Sequence, residues 1–293
     1  MTDTGRTGPS ALATAGRWLL AAAGLVVLFV AYQQWGTAVT HWQGQRDLRT
    51  RFTHEVATAR SPGGTRRAPV APYPGLGDPV GVIQIPSIGV DQVVVEGVQA
   101  AQLAVGPGHY PGTALPGQSG NAAIAGHRTT HGAPFYSLDR VRPGDVVVVT
   151  TLQGRFTYRV VRSSVVSPDD GAVLDASSTP ELTLTTCNPK YSAAQRLVVV
   201  ADLESPVAPT TPRPAASVAA DVVGDPVHAA GTWVELAAAL IALVVLVVAF
   251  PRVRRRSAPG SWVRWTSWLA VPAGVVLVLV VFASLDTLLP ASF

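Results

Sequence analysis

The chain reads as an all-β barrel or sandwich set between long apolar runs, and three observations lead there. Seven short runs rich in Val, Ile, Leu and Thr lie at 80–85, 92–96, 121–125, 146–151, 157–166, 182–186 and 197–203. That is the spacing of short strands in an all-β domain. Gly and Pro turns separate them: PGHYPG around His109, RPGD from Arg142 and PDDG from Pro168. The block 80–204 is long enough to bury a single core.

Composition narrows the class. Of 293 residues, 48% are hydrophobic and 14% charged, with a formal net charge of +4. Lys190 is the one lysine, so Arg carries nearly all the positive charge, in clusters beside the apolar runs. That arrangement fits anionic lipid head groups. The middle of the chain lacks the basic, aromatic-bearing face of a nucleic-acid binder, and no nucleic acid is expected as a partner. A single cysteine excludes an internal disulfide. Neither a Gly-rich phosphate loop nor a dinucleotide fingerprint is present, and no cofactor is expected.

Along the chain, 1–17 reads as a small polar tail and 18–35 as a first membrane-spanning helix, its apolar part slightly short of the ~20 residues a span needs. With no small-x-small cleavage site directly after it, an uncleaved anchor is expected in preference to a signal peptide. The segment 36–79 joins a juxtamembrane helix to a Pro/Gly linker. Leu48, Phe52 and Val56 fall four apart there, as on one face of an amphipathic helix. After the β domain at 80–204 come a Pro-rich linker at 205–231, a second span at 232–250, a loop at 251–264 bearing Arg252, Arg254, Arg255 and Arg256, a third span at 265–285, and a tail at 286–293. A short loop with four arginines stays in the cytoplasm. The β domain is then extracytoplasmic and the amino terminus cytoplasmic, in a multi-pass protein of the cell membrane. The arginines that follow the first span (Arg46, Arg49, Arg51, Arg60, Arg66, Arg67) pull the other way, but two closely spaced spans cannot evade the inter-span cluster.

The chemistry concentrates in ELTLTTCNPKYSAAQRLVVVADL, from Glu181 to Leu203. A strand ends at Cys187, a Pro-containing loop follows, and a second strand opens at Arg196. If the two strands lie side by side, the guanidinium can reach the sulfur, favour its thiolate and meet an oxyanion formed by thiolate attack on an amide. The proton carrier is sought in His127, which closes the strand-like run NAAIAGH. Cys187, His127 and Arg196 make an acyl-transfer constellation. The plainer readings are a buried structural Cys, a core His and a strand-edge Arg. His131 reads as a surface histidine, and Asp169, Asp170 and Asp175 as a solvated turn. No paired-cysteine spacing supports zinc, and no metal site is expected. His109 and Tyr110 either line a substrate groove or, for Tyr110, pack.

These residues resemble the sortases, membrane-anchored cysteine transpeptidases of Gram-positive bacteria. The resemblance covers the whole β domain. It rests on GHYPGT from Gly108, NAAIAGHR from Asn121, FYSLD from Phe135, TLTTC from Thr183 and RLVV from Arg196; CNP with YSA ahead of the Arg is most similar to class E. It implies an eight-stranded β-barrel, with the missing strand near His109–Tyr110. It implies that Cys187 attacks the Thr carbonyl of an LPXTG-type sorting signal (LAXTG in class E) on a surface or pilin protein. A thioacyl enzyme would form and be resolved by an amine of a peptidoglycan precursor or a pilin lysine. By the same resemblance His127 is general acid/base, Arg196 orients substrate and stabilises the oxyanion, and the backbone N–H of Thr186 serves the oxyanion hole. Two rival jobs stand beside this one: pilin polymerisation of the class C kind, and a non-catalytic wall-binding barrel. Class C enzymes often carry an Asp-Pro-aromatic lid. Here Asp78-Pro79 is followed by Val80.

Overall fold

The computed structural model describes residues 36–59 and 72–212, together with isolated positions in the first and last apolar runs. The expected spans, the Arg-rich loop and both tails otherwise lie outside the described residues. Among the described residues, no helix is long and apolar enough to cross a membrane.

Eight strands form the domain: β1 (Pro79–Ile85), β2 (Val90–Glu96), β3 (Gly108–His109), β4 (Asn121–Ala125), β5 (Val146–Thr151), β6 (Gly154–Val166), β7 (Glu181–Asn188) and β8 (Gln195–Leu203). They close into a barrel in the order β1-β2-β3-β4-β7-β8-β6-β5, with β5 pairing back on β1. Closure pairs each strand with a neighbour on both sides, though the two-residue β3 meets only the ends of β2 and β4. All seven expected runs are strands. The eighth strand is the two-residue β3, at His109, bridging β2 and β4.

Alternation decides which side chains face inward. Ala122 and Ile124 of β4, Leu182 and Leu184 of β7, and Leu197, Val199 and Ala201 of β8 belong to the central core. The residues between them, Ala123, Thr183, Thr185 and Val198, therefore point outward. Tyr158 is buried in the core, and its hydroxyl accepts the Gly117 N–H at 2.6 Å. Burial pushes its pKa up to about 12. Gly117 has φ +94°, and the Phe156 ring occupies the space a Cβ would need, so only glycine fits there.

Helix α1 (Thr37–Ala59) begins five residues before the amphipathic pattern at 42–59 and buries Thr37, His41, Leu48 and Phe52. Leu48 packs on the outward residues Val93 and Val95 of β2. The Gln45 amide is bonded three times: it donates to Val93 O and Val105 O, each at 2.9 Å, and accepts from Val93 N at 2.7 Å. The α1 face is thus docked on the barrel wall. A short helix, α2 (Ala100–Val105), sits beside it.

Pro79 opens β1, which is four strands from β7 in the barrel order. The first residues of the expected 205–231 linker dock on the barrel. Ala208 N donates to Gly117 O at 2.7 Å, and Gln118 Nε2 donates to Thr211 Oγ1 at 2.8 Å.

Candidate active site

Strands β4 and β7 run parallel as neighbours, with Ala125 opposite Thr185. His127 and Cys187 each lie two residues further on, at the same end of the barrel. Cys187, still within β7, shares the outward parity of Thr185, and His127 lies just past the end of β4. On the far side of β7, Cys187 is the direct antiparallel partner of Arg196 in β8. Directly paired residues project from the same sheet face, within side-chain reach. The fold therefore brings the three expected residues to one rim of the barrel, Cys187 and Arg196 on the same sheet face. Cys187 and Arg196 are half-buried, and His127 is 6% exposed.

Gly126, just before His127, packs against the Phe135 ring so closely that a Cβ would collide with it. Its N–H donates to Thr185 O at 3.1 Å, and Thr186 Oγ1 donates to its carbonyl at 2.7 Å. The Thr186 hydroxyl, buried, thus ties the β4 end to the β7 end. Outside the barrel, the Tyr110 hydroxyl meets Thr185 Oγ1 at 3.1 Å, which keeps Tyr110 on the face of Cys187.

Two site expectations, at His109 and His131, need correction. Arg196 stands opposite Cys187, and its Nη1 donates to Ala193 O at 3.0 Å and Gln195 O at 3.2 Å, bracing its own loop. Its other guanidinium donors make no bond to the described residues. His109 does not line a groove. It is fully buried, with Nδ1 2.7 Å from Glu96 Oε2 and Nε2 2.8 Å from Ala114 O, so both ring nitrogens are occupied. Its neighbour Thr113 Oγ1 lies 3.1 Å from Nε2 and accepts from Ala123 N, which binds the 109–114 turn to β4. His131 is not a surface histidine: it is half-buried, and its ring stacks on that of His127, with centroids 4.9 Å apart and planes 25° from parallel. Among the described residues, no cluster of His, Cys, Asp and Glu is placed to hold a metal ion. Asp170 caps the turn at Gly171–Leu174 by accepting from Ala172 N.

One residue of the site escapes a reading of the sequence. Arg128, next to His127, is 4% exposed. Its Nη1 donates to Cys187 O at 3.0 Å and to Asn188 Oδ1 at 2.7 Å, and its Nη2 pairs with Asp139 Oδ1 at 3.2 Å. One planar fork thus joins the residue after His127 to the backbone of Cys187 and to the turn at Leu138–Arg140. In sequence, RTT after His127 reads as a polar loop. Only its position beside the His hinted otherwise.

Arg128→Ala is expected to reduce turnover about 10- to 100-fold, since charge-assisted hydrogen bonds of ~1.5–3 kcal/mol each that fix Cys187 relative to His127 are lost. Arg128→Lys is expected to recover little of that, because a point charge cannot bridge three acceptors. Steady-state kinetics on a quenched peptide, with thermal unfolding run alongside, checks both.

A thiol, an imidazole and a guanidinium at one rim can perform acyl transfer: nucleophile, proton carrier and anion-stabilising group. Comparison with known proteins finds the following similarities. A family profile described as a sortase domain matches residues 83–204. The chain is 31% identical over 191 residues to sortase SrtE1 of Streptomyces coelicolor, covering 60% of this chain and 52% of that one. It is 28% identical over 218 residues to sortase SrtE2 of the same organism, covering 68% and 84%. Sortase E of Streptomyces avermitilis is a similar solved structure, with 39% identity, a TM-score of 0.40, and 44% of this chain and 90% of that chain covered. The chain spans about half the length of SrtE1.

Proposed function

We propose that the chain, whose residues 83–204 match a sortase domain, is a membrane-anchored, class E-like cysteine transpeptidase. It cleaves an LAXTG- or LPXTG-type sorting signal between Thr and Gly and joins the Thr to an amine of the cell wall. The observation that carries the reading is the outward Cys187–Arg196 cross-strand pair, with His127 two residues past the end of the adjoining parallel strand.

The steps balance as follows. Cys187 gives its proton to His127, and the thiolate attacks the Thr carbonyl carbon. The oxyanion is met by the guanidinium of Arg196, whose Nη2 and Nε are not engaged by the described residues. The C–N bond breaks, and the departing Gly amine takes the proton from His127. An amine of a peptidoglycan precursor then attacks the thioester, yields a proton to His127, and expels the Cys187 thiolate. Tyr110 and Thr185 lie on the face where the signal peptide would run.

The first apolar run, and two more after the domain, support a multi-pass membrane protein with a cytoplasmic amino terminus and an extracytoplasmic barrel. Membrane lipids and sorting-signal proteins are then its partners.

Mass spectrometry of the full chain in nanodiscs, incubated with LAXTG and LPXTG peptides, tests this. The expected result is a thioacyl adduct on Cys187 with release of the Gly-containing fragment. Release only in the presence of a lysine-bearing pilin peptide would instead indicate polymerisation. No adduct with any peptide, from a thiol that also resists alkylation, would leave a wall-binding barrel.

A further inference from the structure

We propose that His131 is a positioning residue for His127, and that the N-terminal turns of α1 hold it there. The inference rests on His127 being the proton carrier of the reaction above.

The loop after β4 folds back on itself. Ala133 N donates to Thr130 O at 2.8 Å and Phe135 N donates to His127 O at 3.1 Å. This return brings His131 over His127, ring against ring at 4.9 Å. It also forces left-handed backbone at two residues that carry a Cβ, His131 (φ 49°) and Ala133 (φ 45°). L residues adopt that conformation only where their surroundings impose it, and such residues gather at functional sites.

Helix α1 supplies the surroundings. Thr37, 1% exposed, accepts the His131 N–H on Oγ1 at 3.1 Å. One turn on, His41 lays its ring against Gly132, where any Cβ would collide with the imidazole. His41 is 5% exposed, and its Nε2 bonds Gln92 Oε1 of β2 at 2.9 Å. Burial, opposed by the Gln92 hydrogen bond and aided by the nearby His131, lowers the His41 pKa from its ordinary value.

A continuous stack results: barrel wall at Gln92, helix at His41 and Thr37, loop at Gly132 and His131, then His127. A stacked ring covers one face of the His127 imidazole, keeps water off it and restricts rotation of the ring. Proton transfer to and from Cys187 depends on that orientation. Helix α1 is thereby part of the support of the candidate active site.

The test uses the full chain in nanodiscs with three variants: His131→Ala, His131→Phe and Thr37→Val. Two readouts are taken: kcat and KM on a sorting peptide, and the NMR signals of the His127 ring in 13C-histidine-labelled protein, assigned through His127→Gln. His131→Ala is expected to lower kcat about 10- to 30-fold with KM within about twofold, as loss of orientation at the reacting group predicts. His131→Phe, which stacks but does not titrate, is expected to recover most of the loss. Thr37→Val, which removes the acceptor of the His131 N–H, is expected to lower kcat in the same direction by a smaller factor. The His127 signals are expected to broaden or double in His131→Ala and remain single in His131→Phe.

Unchanged kcat in both His131→Ala and Thr37→Val overturns the proposal. So does a Phe variant as impaired as Ala, since the imidazole's own titration would then be what matters. If the wild type turns over no peptide, the proposed reaction fails separately, and the NMR signals alone still decide whether His131 orders the ring.

Discussion

Cys187→Ala is expected to reduce cleavage of an LAXTG peptide by on the order of 10⁴-fold or more, as removal of a covalent nucleophile does in triad enzymes. Nothing else in the chain can take the role, since this is the single thiol. The fold should not notice. Cys187 is half-buried at the end of β7, outside the central core, and its neighbours hold its backbone rather than its sulfur. Truncating it opens no core cavity, so stability is expected to change by less than about 1 kcal/mol. Release of the Gly-containing fragment, measured by chromatography beside a urea melt, separates the two effects. Turnover at the wild-type rate would end the catalytic assignment, and lost turnover with a collapsed melt would contradict the placement of Cys187 outside the core.

His109→Ala is expected to do the reverse, costing roughly 1–3 kcal/mol of stability or more, the usual penalty for leaving buried hydrogen-bonding groups without a partner. Glu96 is 3% exposed and its Oε2 faces His109 Nδ1 at 2.7 Å. Ala114 O accepts from Nε2 at 2.8 Å. Without the ring, that carboxylate keeps Tyr73 OH at 3.1 Å, and Ala114 O loses its donor. Since a domain is stable by only ~5–15 kcal/mol in all, the melt should shift visibly. Adding Glu96→Gln is expected to return part of the loss, because a neutral amide is cheaper to bury than an unpaired charge. A single mutant with an unaltered urea midpoint and a raised KM would put His109 back in the substrate groove.

The two predictions mark where a sequence can and cannot be read. Cys187 was legible because local pattern announced it: alternating Leu and Thr define a strand, Pro189 ends it, and Arg196 opens the next. The strands of the barrel were legible for the same reason, down to the neighbourhood of β3, and Leu48 and Phe52 marked the buried face of α1 by their spacing. His109 sits in a motif with the same look as the site, yet it serves the interior. Its role depends on Glu96, which lies thirteen positions earlier and enters through the parallel pairing of β2 with β3. Arg128 and His131 follow His127 in a stretch rich in polar residues and Gly, the pattern of a solvated loop. Their burial comes from β7, from the turn at Leu138–Arg140, and from a helix ninety residues away in sequence.

What the sequence determined by itself was the set of strands, the apolar runs, the docked face of one helix and the three residues able to do acyl transfer, since each of these is written in periodicity or in side-chain chemistry over a few neighbouring positions. What only the tertiary structure decided was the pairing of β4 with β7, which brings His127 level with Cys187, and the packing of α1 and Arg128 around them. Register between strands some sixty residues apart is set by closure of the whole barrel, and no local pattern in the chain carries that information.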